Sequence, residues 1–246
     1  MFISISNDSL ETGIEAGKKA ASLIRQAIES KGNATIILAT GSSQFETLNQ
    51  LTGEEGIDWR NVTMFHLDEY IGLPVSHKAS FRKYLQERFV EKVPALKGVN
   101  LINGEADPEQ ECNRLEKLIL PSRVDVALVG IGENGHLAFN DPPADFETGS
   151  AYLVVNLDEQ CRQQQVNEGW FSALNEVPEN AISMSIQQIM LSKHIVCTVP
   201  GIRKAKAVKN TLERPVSNLY PATILQHHPD CYLFLDNESA SLLKHR

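Results

Sequence analysis

The chain has 246 residues, 42% of them hydrophobic, and its 31 acidic residues outnumber 23 basic ones for a formal net charge of −8. That length fits one α/β domain, residues 1–246, with enough chain to bury a substantial core. The negative balance disfavours nucleic acid and anionic membrane as partners, so a phosphorylated ligand needs a local positive site. In chain order, Leu10, Ile14, Ala20, Leu23, Ile24, Ala27 and Ile28 recur at three- and four-residue steps, predicting an amphipathic helix ended by Gly32. Residues 34–39 (ATIILA) then read as a buried strand of the parallel kind. Further strands are predicted over 62–67, 124–129, 195–199 and 231–235, and helices near 45–51, 80–90, 108–118 and 203–213. Such alternation predicts a doubly wound, mostly parallel sheet with helices on both faces, Rossmann-like in outline.

Nothing at the N-terminus resembles a signal peptide, and no window is apolar enough to cross a bilayer. Cys112, Cys161, Cys197 and Cys231 are sparse and form no CxxC pair, which favours reduced thiols, with Cys197 and Cys231 as small core residues. The expectation is a cytoplasmic protein.

In a doubly wound sheet, ligands bind beyond the carboxyl ends of the strands, and four predicted strand ends carry reactive residues. The first runs into Thr40-Gly41-Ser42-Ser43-Gln44, where a glycine turn, two hydroxyls and a helix start can cradle an anion. Taken alone, that segment reads as an ordinary capped turn. The second ends in Asp68-Glu69-Tyr70. Adjacent strand side chains diverge, so one carboxylate can face the crevice as a base while the other is held structurally. The third carries Gly130, Gly132 and Gly135 around Asn134, His136, Asn140 and Asp141. This GxGxxG spacing imitates a dinucleotide fingerprint, but Asp141-Pro142-Pro143 breaks the chain where a helix would have to follow. A loop bent around a small ligand, with His136 as acid/base and Asp141 orienting it, fits better. The fourth runs into Pro200-Gly201-Ile202-Arg203-Lys204, whose cations oppose the helix dipole unless an anion sits among them. Lys204 is the favoured phosphate ligand; Lys206 and Lys209 read as solvated surface lysines.

The segments LATGSS, FHLDEYIGLPVSHKASF, GIGENGHLAFNDP and PGIRKA, spread over residues 35–207, resemble the glucosamine-6-phosphate deaminase/isomerase family. The related 6-phosphogluconolactonases place an arginine after the acidic pair and read GHTASLFP after the histidine, whereas Tyr70 and GHLAFNDP stand here. The resemblance implies conversion of glucosamine 6-phosphate to fructose 6-phosphate and ammonia, with neither metal nor organic cofactor. It implies catalytic roles for Asp68, His136, Asp141 and Asn134, and substrate binding by Thr40, Gly41, Ser42, Ser43, Glu69 and Lys204. It also implies a lid at about residues 157–178, and admits a homo-oligomer. Four departures stand out against the family pattern. Asn134 replaces an aspartate of some members, and Asp141 a glutamate. Gly169-Trp170-Phe171 lacks the basic residue that usually precedes the aromatic pair, for which Arg162 or Gln164 could substitute. Residues 145–152 carry no basic cluster to bind an N-acetylated activator. The alternatives are a lactonase-type hydrolase, an isomerase of another amino-hexose phosphate, and a silent sugar-phosphate sensor.

Overall fold

The computed structural model describes residues 1–244. Its elements are β1 (Phe2–Ser6), α1 (Ser9–Lys31), β2 (Ala34–Leu38), α2 (Phe45–Gly53), β3 (Val62–His66), β4 (Asp68–Tyr70), α3 (Phe81–Leu85), β5 (Gly98–Asn100), α4 (Pro108–Ile119), β6 (Val126–Val129), β7 (Tyr152–Asn156), α5 (Glu159–Asn167), β8 (Asn180–Met184), α6 (Ile186–Met190), β9 (His194–Val199), α7 (Ala205–Glu213) and β10 (Cys231–Asp236). Seven strands pair in parallel in the order β1-β10-β9-β6-β2-β3-β5. No helix among the described residues is long and apolar enough to cross a membrane.

Strand alternation divides the apolar residues between two cores. In β2, Ile36 and Leu38 join the cluster formed with Ala20, Ile24, Leu48 and Leu85, on the face covered by α1, α2 and α3. Ile37 faces the other way, with Leu115, Ile119, Ile189 and Val208 of α4, α6 and α7. Because both faces of β2 are covered, its sequence is continuously apolar rather than alternating. Burying one Ile or Leu side chain contributes about 1.5–3 kcal/mol, so these two layers supply much of the drive to fold.

Local signals set the ends of α1. Asp8 accepts the Glu11 N–H at 2.9 Å as N-cap, and Gly32 stops the helix in the left-handed region, φ 79°. The helix predicted over 80–90 is instead two pieces, α3 and a wider π turn over Gln86–Val90. Strand β1 and a separate three-stranded antiparallel sheet, β4-β8-β7, are additional to the sequence reading. Along β7 only Tyr152 is buried, although Tyr152-Leu153-Val154-Val155 is an unbroken apolar run of the kind that marks a strand. The small sheet has a consequence for the site. Leu67 gives its N–H to Leu38 at 3.3 Å and accepts the Met184 N–H at 2.7 Å, so the chain passes from the large sheet to the small one immediately before Asp68.

Candidate active site

From β2 the chain winds outward to β3 and β5, then returns to place β6 on the other side of β2. The loops leaving β2 and β6 therefore part in opposite directions, and an open crevice of about 540 Å³ lies at their ends. Thr40, Gly41, Ser42, Ser43, Asp68, His136 and Lys204 all line it, drawn from four separate strand ends.

Gly41 turns the chain at φ 94°, a conformation that side chains rarely adopt, and leads into a 3₁₀ turn over Ser42–Gln44 ahead of α2. The Tyr84 hydroxyl donates to the Gly41 carbonyl at 2.9 Å and fixes the turn from α3. Opposite, Lys204 precedes α7 and is only 8% exposed. Burial lowers its pKa, against the fields of Glu168 and Glu133, which favour the ammonium. Hydroxyls, a buried cation and two helix starts converge here, a combination suited to a phosphate.

Asp68 is 7% exposed, and its pKa rises to about 8, first through burial and then through the neighbouring Glu69 charge. Glu69 points the other way and does not line the crevice, which corrects the expectation that it touches substrate. Its Oε2 accepts the Ser80 hydroxyl at 2.9 Å and the Arg82 N–H at 2.8 Å, while Oε1 accepts the Tyr70 N–H at 3.0 Å and the Phe81 N–H at 3.2 Å. Arg82 adds an ion pair at 3.4 Å. Burial still raises the Glu69 pKa against these bonds. Glu69 therefore organises the start of α3, and the alternation of β4 sends Asp68 alone toward the crevice.

His136 faces the crevice, with its Nδ1 3.0 Å from Asp141 Oδ1. Burial would raise Asp141, but hydrogen bonds from His136, from the Asn134 amide and from the Asp158 N–H outweigh it and hold the carboxyl below its usual range. Asp141 thus orients the imidazole and stays ionised. Gly132 packs so closely beneath this ring that a Cβ would fall 2.3 Å from the imidazole. Ala138, also in the lining, holds φ 51°, where a non-glycine residue stores strain. Asn134 does not line the crevice either. Its amide donates to Asp141 at 2.9 Å and to Asp158 at 3.0 Å, and its carbonyl oxygen accepts the His136 N–H at 3.0 Å. It shapes the loop rather than meeting a ligand.

The segment between β7 and β8 leaves and returns at one place, where the Leu157 N–H donates to Glu179 at 2.9 Å. Within it, Gln164, Gln165 and Glu168 of the α5 turns line the crevice. Their three- and four-residue spacing was the available signal for one shared helix face. Arg162 lies elsewhere, donating to the carbonyls of Leu174 at 2.9 Å and Val177 at 3.0 Å. Of the two candidates for the missing basic residue, Gln164 reaches the crevice and Arg162 does not.

His136, Asp141 and Cys161 bring their donor atoms within 4.8 Å of one another, a set that could hold a metal ion. Two of the three are already hydrogen-bonded together, and burial holds the Cys161 thiol well above its ordinary pKa, which keeps it protonated.

A family model described as glucosamine-6-phosphate isomerases/6-phosphogluconolactonase matches residues 7–233. The chain belongs to this family. Among its relatives are glucosamine-6-phosphate deaminases from Bacillus cytotoxicus, 39% identical over 96% of this chain and 87% of the relative, and from Listeria monocytogenes, 39% identical over 95% and 97%. The solved structure of a monomeric glucosamine-6-phosphate deaminase superposes with a TM-score of 0.89 at 34% identity, covering 98% of this chain and 100% of that one. The 6-phosphogluconolactonase of Trypanosoma brucei shares the fold at TM-score 0.80 and 18% identity, over 98% of each chain.

Proposed function

We propose that this family member deaminates and isomerises glucosamine 6-phosphate to fructose 6-phosphate and ammonia. The observation that carries the reading is the placement of Asp68 and the His136–Asp141 pair in one crevice with the Ser42, Ser43 and Lys204 cradle. The phosphate is held by Gly41, Ser42, Ser43 and Lys204, which sets the sugar's other end against the two catalytic groups. His136, oriented by Asp141, moves a proton from the anomeric hydroxyl to the ring oxygen and opens the ring. Asp68 takes the proton from C2 and returns it to C1 while the amine gives up a proton to the C1 oxygen, leaving a hydroxymethyl group at C1 and an imine at C2. Water adds at C2 and ammonia leaves, so the sugar gains the oxygen of water and loses its nitrogen. The near-full-length likeness to deaminases at 39% identity supports this substrate above a lactone.

Residues 157–178 act as the lid over the crevice, in a single domain 1–246. The four unpaired thiols agree with a cytoplasmic setting.

Ammonia and fructose 6-phosphate are followed together from glucosamine 6-phosphate. Equimolar release, lost in Asp68→Asn, is the expected result; wild-type protein that releases neither product overturns the assignment.

A further inference from the structure

The cradle is not free of negative charge. Glu168, at the C-terminal end of α5, reaches into the crevice, and its Oε2 accepts the Ser42 hydroxyl at 3.0 Å. The same oxygen accepts the Trp170 indole N–H at 3.3 Å, and Oε1 accepts the Gln164 amide at 2.7 Å. Gln164 Oε1 in turn accepts the Glu133 N–H at 3.0 Å, so the chain of contacts bridges the loops after β2 and β6 across the mouth of the site. Trp170 packs on Phe45 and Tyr84, with ring centroids 6.4 Å away in each case, which places the carboxylate beside the β2 loop. Glu168 also lines the adjoining groove together with Ser42, Ser43 and Lys204.

We propose that the Glu168 carboxylate occupies the phosphate cradle of the substrate-free enzyme, and that an incoming phosphate monoester must displace it from Ser42. The proposal rests on the reading of Ser42 and Lys204 as phosphate ligands. A carboxylate and a phosphate both need the single hydroxyl proton of Ser42, and both are anionic, so that hydroxyl cannot serve the two at once. A phosphate monoester carries about −1.5 to −2 charge at neutral pH and wins that competition. When it does, Glu168 leaves Ser42, and the 157–178 segment loses its hydrogen bond to the β2 loop while Trp170 stays packed on Phe45 and Tyr84. Glu168 therefore weakens phosphate binding and couples it to movement of that segment. A differential contact of this kind is what lets a ligand shift a conformational equilibrium.

The variant Glu168→Gln keeps the side-chain length and removes the charge. Calorimetric titration with inorganic phosphate, which needs no turnover, is expected to give a dissociation constant lower than wild type by about tenfold. With glucosamine 6-phosphate, KM is expected to fall similarly while kcat changes by less than about threefold. Glu168→Ala, which also loses the Gln164 and Trp170 contacts, must move phosphate binding in the same direction. Unchanged or weaker phosphate binding in both variants overturns the proposal, as does a wild-type protein that binds no phosphate. If phosphate binding tightens but neither product appears from glucosamine 6-phosphate, the carboxylate's role stands and the substrate assignment falls.

Discussion

The burial that suits Asp68 to take a proton from carbon also gives its charge a folding cost. Its pKa stands at about 8 in the substrate-free protein, against 3.8 for the exposed group. Between those values the folded state binds a proton that the unfolded state does not, so stability declines as pH rises through that window. Asp68→Asn has no charge to bury. Its melting temperature relative to wild type is therefore expected to climb from pH 5 to pH 9, in thermal melts at both values, while turnover falls by at least about 10²-fold. In the wild type, kcat/KM is expected to rise with pH to a plateau above about 8, since the base must be ionised. A second residue-scale expectation concerns Gly132→Ala. The added methyl would sit 2.3 Å from the His136 ring, so the imidazole must turn away from Asp141. Activity should drop by roughly 10²-fold with an unchanged circular dichroism spectrum. Residues such as Asp68 and His136 were legible because strand ends in this fold class face the ligand. The parting of Asp68 and Glu69 was legible too, from strand alternation, and it was the resemblance that brought Glu69 to the substrate; the turn of Asn134 into its own loop had no such periodic signal. Glu69 goes to the start of α3 and Asn134 to its own loop.

At the scale of elements, the segment between β7 and β8 is held differently from the sheet. Its far end depends on Arg162, whose guanidinium ties the carbonyls of Leu174 and Val177, with Glu179 as an ion partner at 3.8 Å. Arg162→Ala leaves those carbonyls without their donor, and the 159–176 amides are expected to exchange faster in deuterium exchange while β2 and β3 stay protected. On the proposed role of residues 157–178 as a lid, KM should rise with kcat less affected. The central strands and α1 were readable because buried apolar runs and capping residues announce them. The β4-β8-β7 sheet is a matter of pairing between distant residues, Asp68 with Ser183 and Tyr152 with Met184, which the apolar runs of β7 and β8 do not specify by themselves.

At the scale of the whole molecule, the two-faced sheet hides its chemistry from solvent. Cys161, Cys197 and Cys231 are buried, while Cys112 is only partly so. Titration with a maleimide should modify Cys112 alone in the native protein and all four thiols after denaturation; rapid native labelling of Cys197 would contradict the packing described. The pinched base of the 157–178 excursion reaches furthest in its implications. Because Leu157 bonds directly to Glu179, the chain departs and re-enters at almost the same point, so the β7–β8 pairing closes beneath the excursion, while Cys161 and Phe171 within it pack into the cluster of Tyr70 and Phe139. The excursion is in that sense a cassette. Its exposed stretches can lengthen at a cost that grows only slowly with length, whereas its residues in the shared cluster must be kept. Exchanging the α5 face that carries Gln164, Gln165 and Glu168 would reline the crevice without asking the sheet to fold anew.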